Sequence, residues 1–201
     1  MSDICIISDD CFGVGVYQTL KLQYNTPFIS TFIQTPDYIK LLSNLDYYLN
    51  LKLEQISFQE SNYNNIYRLN DRIDRIYSKL GDIEVIFFHC TDNNTIIFDN
   101  WYRRRDRMFK NKDKIIVKLG NMQVPDGNTG DSNRAKEIVK YNNFNQLLDE
   151  FYKLPNFKKI TITKEKYKHH NNFVMLPNHT TNRLVMGQEF NRYLDILKFA
   201  K

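Results

Sequence analysis

The sequence predicts a single three-layer α/β domain with a mixed, mainly parallel central sheet and a Rossmann-like opening. Three observations carry this expectation. Ile4-Cys5-Ile6-Ile7 is a short continuous apolar run, the pattern of a strand buried on both faces. Ser8-Asp9-Asp10 ends it, and Gly13 and Gly15 lead into a segment through Leu22, so a strand, a polar loop and a helix open a βα unit. Apolar strands and amphipathic helices then alternate, with no internal repeat and no linker dividing residues 1–201.

The elements follow in order. Thr35 is suited to cap a helix, Pro36 to open it and Asp37 to complement its dipole. Tyr38, Leu41, Leu42, Leu45 and Tyr48 or Leu49 give that helix an apolar stripe. Alternation from Leu49 through Leu51 to Leu53 predicts a strand. Residues 59–80 read as a polar loop and then an exposed helix, with Ile66, Leu69, Ile73, Ile76 and Leu80 at helical spacing and Gly81 as its stop. A central strand runs from Asp82 to Cys90, a turn follows, and a helix spans about 95–109. Lys114 to Leu119 is a further apolar strand, and 120–134 is a long turn-rich loop. A helix with Phe144, Leu147, Leu148, Phe151 and Leu154 ends at Pro155. Strands at Lys158 to Thr163 and Asn172 to Leu176, and a helix from Gln188 to Ala200, complete the reading.

Composition narrows the function classes. The 201 residues are long enough for one full core, and 42% apolar with 25% charged content is ordinary for a globular chain. No apolar run approaches the roughly 18 residues of a membrane span. The start, Met1-Ser2-Asp3, carries an acid where a signal peptide has Lys or Arg, so a cytoplasmic location is expected. Cys5, Cys11 and Cys90 form no C-x-x-C pair, which argues against a disulfide framework and a zinc ribbon, and no metal site is predicted. The charge of +5 comes without a familiar nucleic-acid motif, and a phosphate-bearing small molecule is an equal reason for it. No nucleic-acid partner is expected.

Three constellations could carry chemistry. Asp9, Asp10 and Cys11 stand in the loop after the first strand, where open α/β sheets place ligands. Amides near Gly13 and Gly15 could bind a phosphate, although two adjacent carboxylates oppose it; alternatively Asp9 and Asp10 cap the helix and Cys11 fills a gap. His89 leaves the end of the central strand, as a general base or as a core histidine, with Asp9, Asp10 or Asp92 able to orient it. Trp101-Tyr102-Arg103-Arg104-Arg105-Asp106-Arg107 places four arginines within five residues. Trp101 shares an apolar flank with Ile97 and Met108, whereas Arg103 and Arg104 are candidates for a phosphate or carboxylate unless the run is a solvated face. His169 and His170 read as exposed, and His179 follows a strand.

These residues resemble a family of poorly characterised proteins usually labelled exopolysaccharide biosynthesis proteins. Ile7-Ser8-Asp9-Asp10-Cys11-Phe12-Gly13 is similar to its Ser-Asn/Asp-Asn/Asp-Cys-Trp-Gly-Gly, and Tyr24-Asn25-Thr26-Pro27 to its Tyr-Asn-Thr/Ser-Pro. Leu80-Gly81-Asp82-Ile83-Glu84-Val85 with Phe88-His89 resembles its Leu-Gly-Asp-Ile-Glu-Val strand ending in His-Tyr, and Trp101-Tyr102-Arg103-Arg104 its Trp-Asn-Arg-Arg. The likeness runs from about residue 4 to 119, departing at Phe12, Val14, Cys90 and Tyr102.

The resemblance implies a role in building or decorating surface glycans. The resulting expectation is a sugar-modifying transferase, an acyltransferase moving an acyl group from acyl-CoA to a hydroxyl or amine of a nucleotide-linked or glycan-linked sugar. His89 would be the base, with Asp9, Asp10 and Cys11 at the same centre. Arg103, Arg104, Gly13 and Trp101 would form the coenzyme side. A glycosyl- or methyltransferase, or a carbohydrate- or nucleic-acid-binding module without catalysis, are the alternatives.

Overall fold

The computed structural model describes residues 4–64, 75–87, 94–120, 144–154, 157–163 and 173–175. Helices and strands mix as an α/β architecture, but the described strands form two four-stranded sheets rather than one mixed sheet. The first contains β1 (Cys5–Ser8), β6 (Ile115–Gly120), β7 (Lys158–Thr163) and β8 (Phe173–Met175), in that order and with every neighbouring pair parallel. The second contains β2 (Thr31–Phe32), β5 (Ile83–Phe87), β4 (Ile76–Leu80) and β3 (Leu53–Ile56), all pairs antiparallel. Among the described residues five α-helices accompany them: α1 (Phe12–Thr19), α2 (Thr35–Ser43), α3 (Leu45–Asn50), α4 (Asn94–Phe109) and α5 (Phe144–Lys153).

Strand alternation sorts the parallel sheet into two faces. Cys5, Ile7, Ile115, Val117 and Leu119 enter the main core with Tyr38 and Leu41 of α2, Trp101 and Met108 of α4 and Phe151 of α5. Val85 and Phe87 of the antiparallel sheet enter the same core. On the other face Ile4, Ile6 and Ile116 pack with Phe12, Val16 and Tyr17 of α1. Among the described residues β1 is the outer strand of the parallel sheet, so its outer polar groups need partners. Tyr17 supplies them, its Oη accepting from the Ile6 amide at 3.0 Å and donating to the Ile4 carbonyl at 2.9 Å.

Several expectations change. Residues 76–80 are β4, not the end of a helix, and Gly81 (φ 66°) with Asp82 forms the two-residue turn between the paired Leu80 and Ile83. Glycine at the first central position of such a turn suits a hairpin. The helix expected from Thr35 to Leu49 is broken at Asn44 into α2 and α3, and Leu49 ends up helical, with β3 beginning only at Leu53. Gln34 rather than Thr35 stands at the cap of α2. Asp37 does stand in the first turn of α2, as expected, and it also accepts the Glu84 amide at 2.9 Å, covering β5 beyond the two residues of β2. The expected helix portion from Ile66 to Ile73, the 121–134 part of the long loop and the helix from Gln188 to Ala200 lie outside the described residues.

Candidate functional site

Because β1 and β6 are parallel and adjacent, their carboxyl ends lie together. The register pairs Ser8 with Lys118, so the first residues beyond β1 stand beside the last residues of β6. The Asp9 amide donates to the Lys118 carbonyl at 3.4 Å, and the Gly120 amide donates to Asp9 Oδ2 at 3.2 Å. The Asp9 side chain thus substitutes for a backbone carbonyl where β1 has ended. Lys118 Nζ donates to Asp9 Oδ1 at 2.9 Å and Asp10 Oδ2 at 2.7 Å. Asp9 and Lys118 are 0% exposed and Asp10 2%. The ammonium also sits 5.6 Å from the centre of the Phe12 ring.

Two carboxylates and one ammonium leave one uncompensated negative charge if all three ionise. Burying such a charge is costly, and the usual relief is a retained proton. Burial pushes the Asp9 carboxyl up to about 6, with Lys118 opposing the rise and Asp10 adding to it. Burial opposes the charge on Lys118, but the two aspartates outweigh it and raise its pKa. Lys118 therefore stays charged while Asp9 exchanges a proton in a near-neutral range. Tyr38 adds a neutral donor nearby, its hydroxyl bonding the Ile7 carbonyl at 2.8 Å and held protonated by burial and by Asp9.

The start of α1 is consumed by its own loop. The Phe12 amide donates to Asp10 Oδ1 at 3.0 Å, Gly13 to Ser8 Oγ at 3.2 Å and Val14 to the Cys11 carbonyl at 3.2 Å. Ser8 Oγ in turn donates to the Asp10 carbonyl at 2.7 Å. Gly13 was expected on the coenzyme side, but its amide is turned inward. A Cβ built there would lie 3.1 Å from Ser8 Oγ, so glycine serves the close approach of helix to strand. Cys11 stands at the N-cap of α1 without a side-chain cap bond, while Asp10, one residue earlier, accepts the first helical amide and Asp9 does not cap the helix. Cys11, half-buried beside them, borders the surface.

The other candidates are placed differently. Trp101 is 1% exposed, edge-on to Phe28 at 5.2 Å and Phe87 at 5.9 Å, which puts it in the core rather than against a coenzyme. Its Nε1 has no hydrogen-bond partner. Arg103 is exposed and bonded to Asn100. Arg104 lies over the Tyr24 ring at 5.1 Å, and Arg107 Nη1 donates to the Tyr24 carbonyl at 2.8 Å. The positive charge beside Asp9 and Asp10 comes from Lys118. His89, Cys90, Asp92, His169, His170 and His179 lie outside the described residues. Among the described residues, no group of three or more His, Cys, Asp and Glu side chains is arranged to hold a metal ion.

Lys118 is the site residue the sequence reading missed. Its signal was present: one lysine inside Ile115-Ile116-Val117-Lys118-Leu119, a run otherwise apolar enough to be buried. A charge in such a strand demands a buried partner, and Asp9-Asp10 is the neighbouring acidic pair.

The family model of a domain of unknown function (DUF1919) matches residues 1–199, and the chain belongs to that family. A protein of Haemophilus influenzae, described as uncharacterized, is similar at 26% identity over 103 residues. That match covers 51% of this chain and 43% of the relative, so it spans less than half of the relative's length.

Proposed function

We propose that this member of the DUF1919 family is a sugar-modifying transferase whose substrates meet at the carboxyl end of the parallel sheet. The observation that carries the reading is the buried Asp9–Lys118–Asp10 cluster at the ends of β1 and β6. Burying three ionisable groups at the rim of a sheet, where α/β proteins bind ligands, is a cost that a purely structural loop has little reason to bear. The likeness of the surrounding motifs to exopolysaccharide biosynthesis proteins supports a sugar as acceptor, in a Rossmann-like, cytoplasmic domain.

The reaction proposed is acyl transfer from acyl-CoA to a hydroxyl or amine of a nucleotide-linked or glycan-linked sugar. His89 would remove the acceptor proton as the oxygen or nitrogen attacks the thioester carbonyl, and the coenzyme would leave as its thiol. The buried cluster would act one step back. By fixing Asp9 and Asp10, Lys118 holds the 9–11 loop in one conformation and keeps Cys11 at the rim. Arg103 and Arg104 would engage phosphates of the donor or acceptor. No helix among the described residues is long and apolar enough to cross a membrane.

The test is release of free thiol from acetyl-CoA in the presence of a panel of nucleotide sugars. Transfer by the native chain, abolished in His89→Ala with thermal unfolding unchanged, is the expected result. Transfer retained in His89→Ala would remove the assigned base. Stabilisation by S-adenosylmethionine but not by acyl-CoA would point to methyl transfer instead.

A further inference from the structure

We propose that the basic segment 103–114, formed by the second half of α4 and the turn after it, is a docking surface for an anionic polysaccharide. The proposal deepens the sugar-modifying reading by naming the kind of acceptor polymer it serves. Four arginines (Arg103, Arg104, Arg105, Arg107) and three lysines (Lys110, Lys112, Lys114) stand here against Asp106 and Asp113. Their excess equals the +5 of the whole chain, so the rest of the sequence carries no net charge. Positive charge is therefore concentrated, which marks a local partner rather than a general bias in lysine usage. Arg103, Lys110, Lys112 and Lys114 are exposed.

The stacking arrangement separates the candidate polyanions. Arg104 covers Tyr24, while Arg105 lies 4.9 Å from the Tyr102 ring centre and 5.9 Å from that of Phe109. Lys112 lies 4.8 Å from the Phe109 ring centre. Cation–π contacts of this kind hold the cationic groups in place before a ligand arrives. The same contacts occupy the rings on which the bases of a single-stranded nucleic acid would stack. A membrane surface would call for apolar side chains to insert, but the exposed large hydrophobics among the described residues are Tyr47 and Ile96, neither within the segment. Positioned guanidinium and ammonium groups without free rings or apolar wedges suit a polymer that offers carboxylates on a hydrophilic chain.

The experiment measures binding of the full chain to polygalacturonate, neutral dextran, polyuridylate and phosphatidylglycerol vesicles across a salt series. Polygalacturonate should bind most tightly and dextran not at all, with affinity falling about tenfold or more from low to physiological salt. The triple variant Lys110→Gln, Lys112→Gln, Lys114→Gln should bind at least tenfold more weakly. A control of equal net charge, Lys52→Gln, Lys153→Gln, Lys158→Gln, also replaces exposed lysines and should bind as the native chain does. Thermal unfolding of both variants reports whether the fold is kept. Equal weakening in the two variants, tighter binding of polyuridylate or vesicles, or no binding at low salt would overturn the proposal. Acyl transfer to a small neutral sugar does not require Lys110, Lys112 or Lys114, so transfer by the triple variant judges the transferase reading separately.

Discussion

Lys118 Nζ lies 2.9 Å from Asp9 Oδ1, with both side chains fully removed from solvent. The contact spans 109 residues of chain and ties the end of the first strand to its parallel neighbour. Lys118→Met keeps much of the side-chain volume but leaves two buried carboxylates facing each other. A loss of about 3–5 kcal/mol in urea unfolding is expected, the range for breaking one side of a buried ion pair. Adding Asp9→Asn and Asp10→Asn to Lys118→Met should recover part of that loss, because the unpaired charges go with them.

The same pair sets a pH dependence. Folded Asp9 keeps its proton up to about pH 6, whereas the unfolded chain releases it near 3.8. The folded state therefore binds more protons between those values, and this contribution to stability is complete below the lower one. It declines as pH rises from about 4 to about 6. Asp9→Asn should flatten this part of the curve in denaturant titrations at stepped pH. A contribution that instead rises across the window would contradict the arrangement.

Gly13 offers a steric test. Gly13→Ala places a methyl group 3.1 Å from Ser8 Oγ, tighter than ordinary packing. A destabilisation of about 1–3 kcal/mol is expected from overpacking. Ser8→Ala in the same chain should reduce the extra cost, measured as the coupling in a double-mutant cycle.

Tyr17→Phe removes the hydroxyl that serves both Ile6 and Ile4 at the edge of β1, the outer strand among the described residues. The Ile6 amide should lose hydrogen-exchange protection, and global stability should fall by about 1–3 kcal/mol. Unchanged protection at Ile6 would mean that another group covers this edge.

Much of the frame was legible because its signals are local. The run at Ile4–Ile7, the stripe of Ile97, Trp101 and Met108, and the apolar strand at Ile115–Leu119 each state their own burial. The misreading at 76–80 arose because Ile76 and Leu80 fit helical spacing as well as alternation. Gly81-Asp82, a two-residue turn between an alternating segment and an apolar strand, was the signal that decides for a hairpin. The division into two sheets was not legible, since strand partners are chosen by long-range pairing. In the site, Asp9 and Asp10 stood out because they end a strand. What they bind depended on register: Ser8 opposite Lys118 is a tertiary fact, and the acids' neighbour in space is 108 residues away in sequence for Asp10.

In the proposed function, substrate occupies the rim where the 9–11 loop meets the end of β6, and Cys11 borders that rim. Its alkylation rate by N-ethylmaleimide, followed by peptide mass spectrometry with and without acetyl-CoA and nucleotide sugars, is the decisive measurement. Bound substrates should slow modification of Cys11 at least about fivefold, equivalent to about 1 kcal/mol of binding linkage. An unchanged rate at saturating substrate would contradict the account.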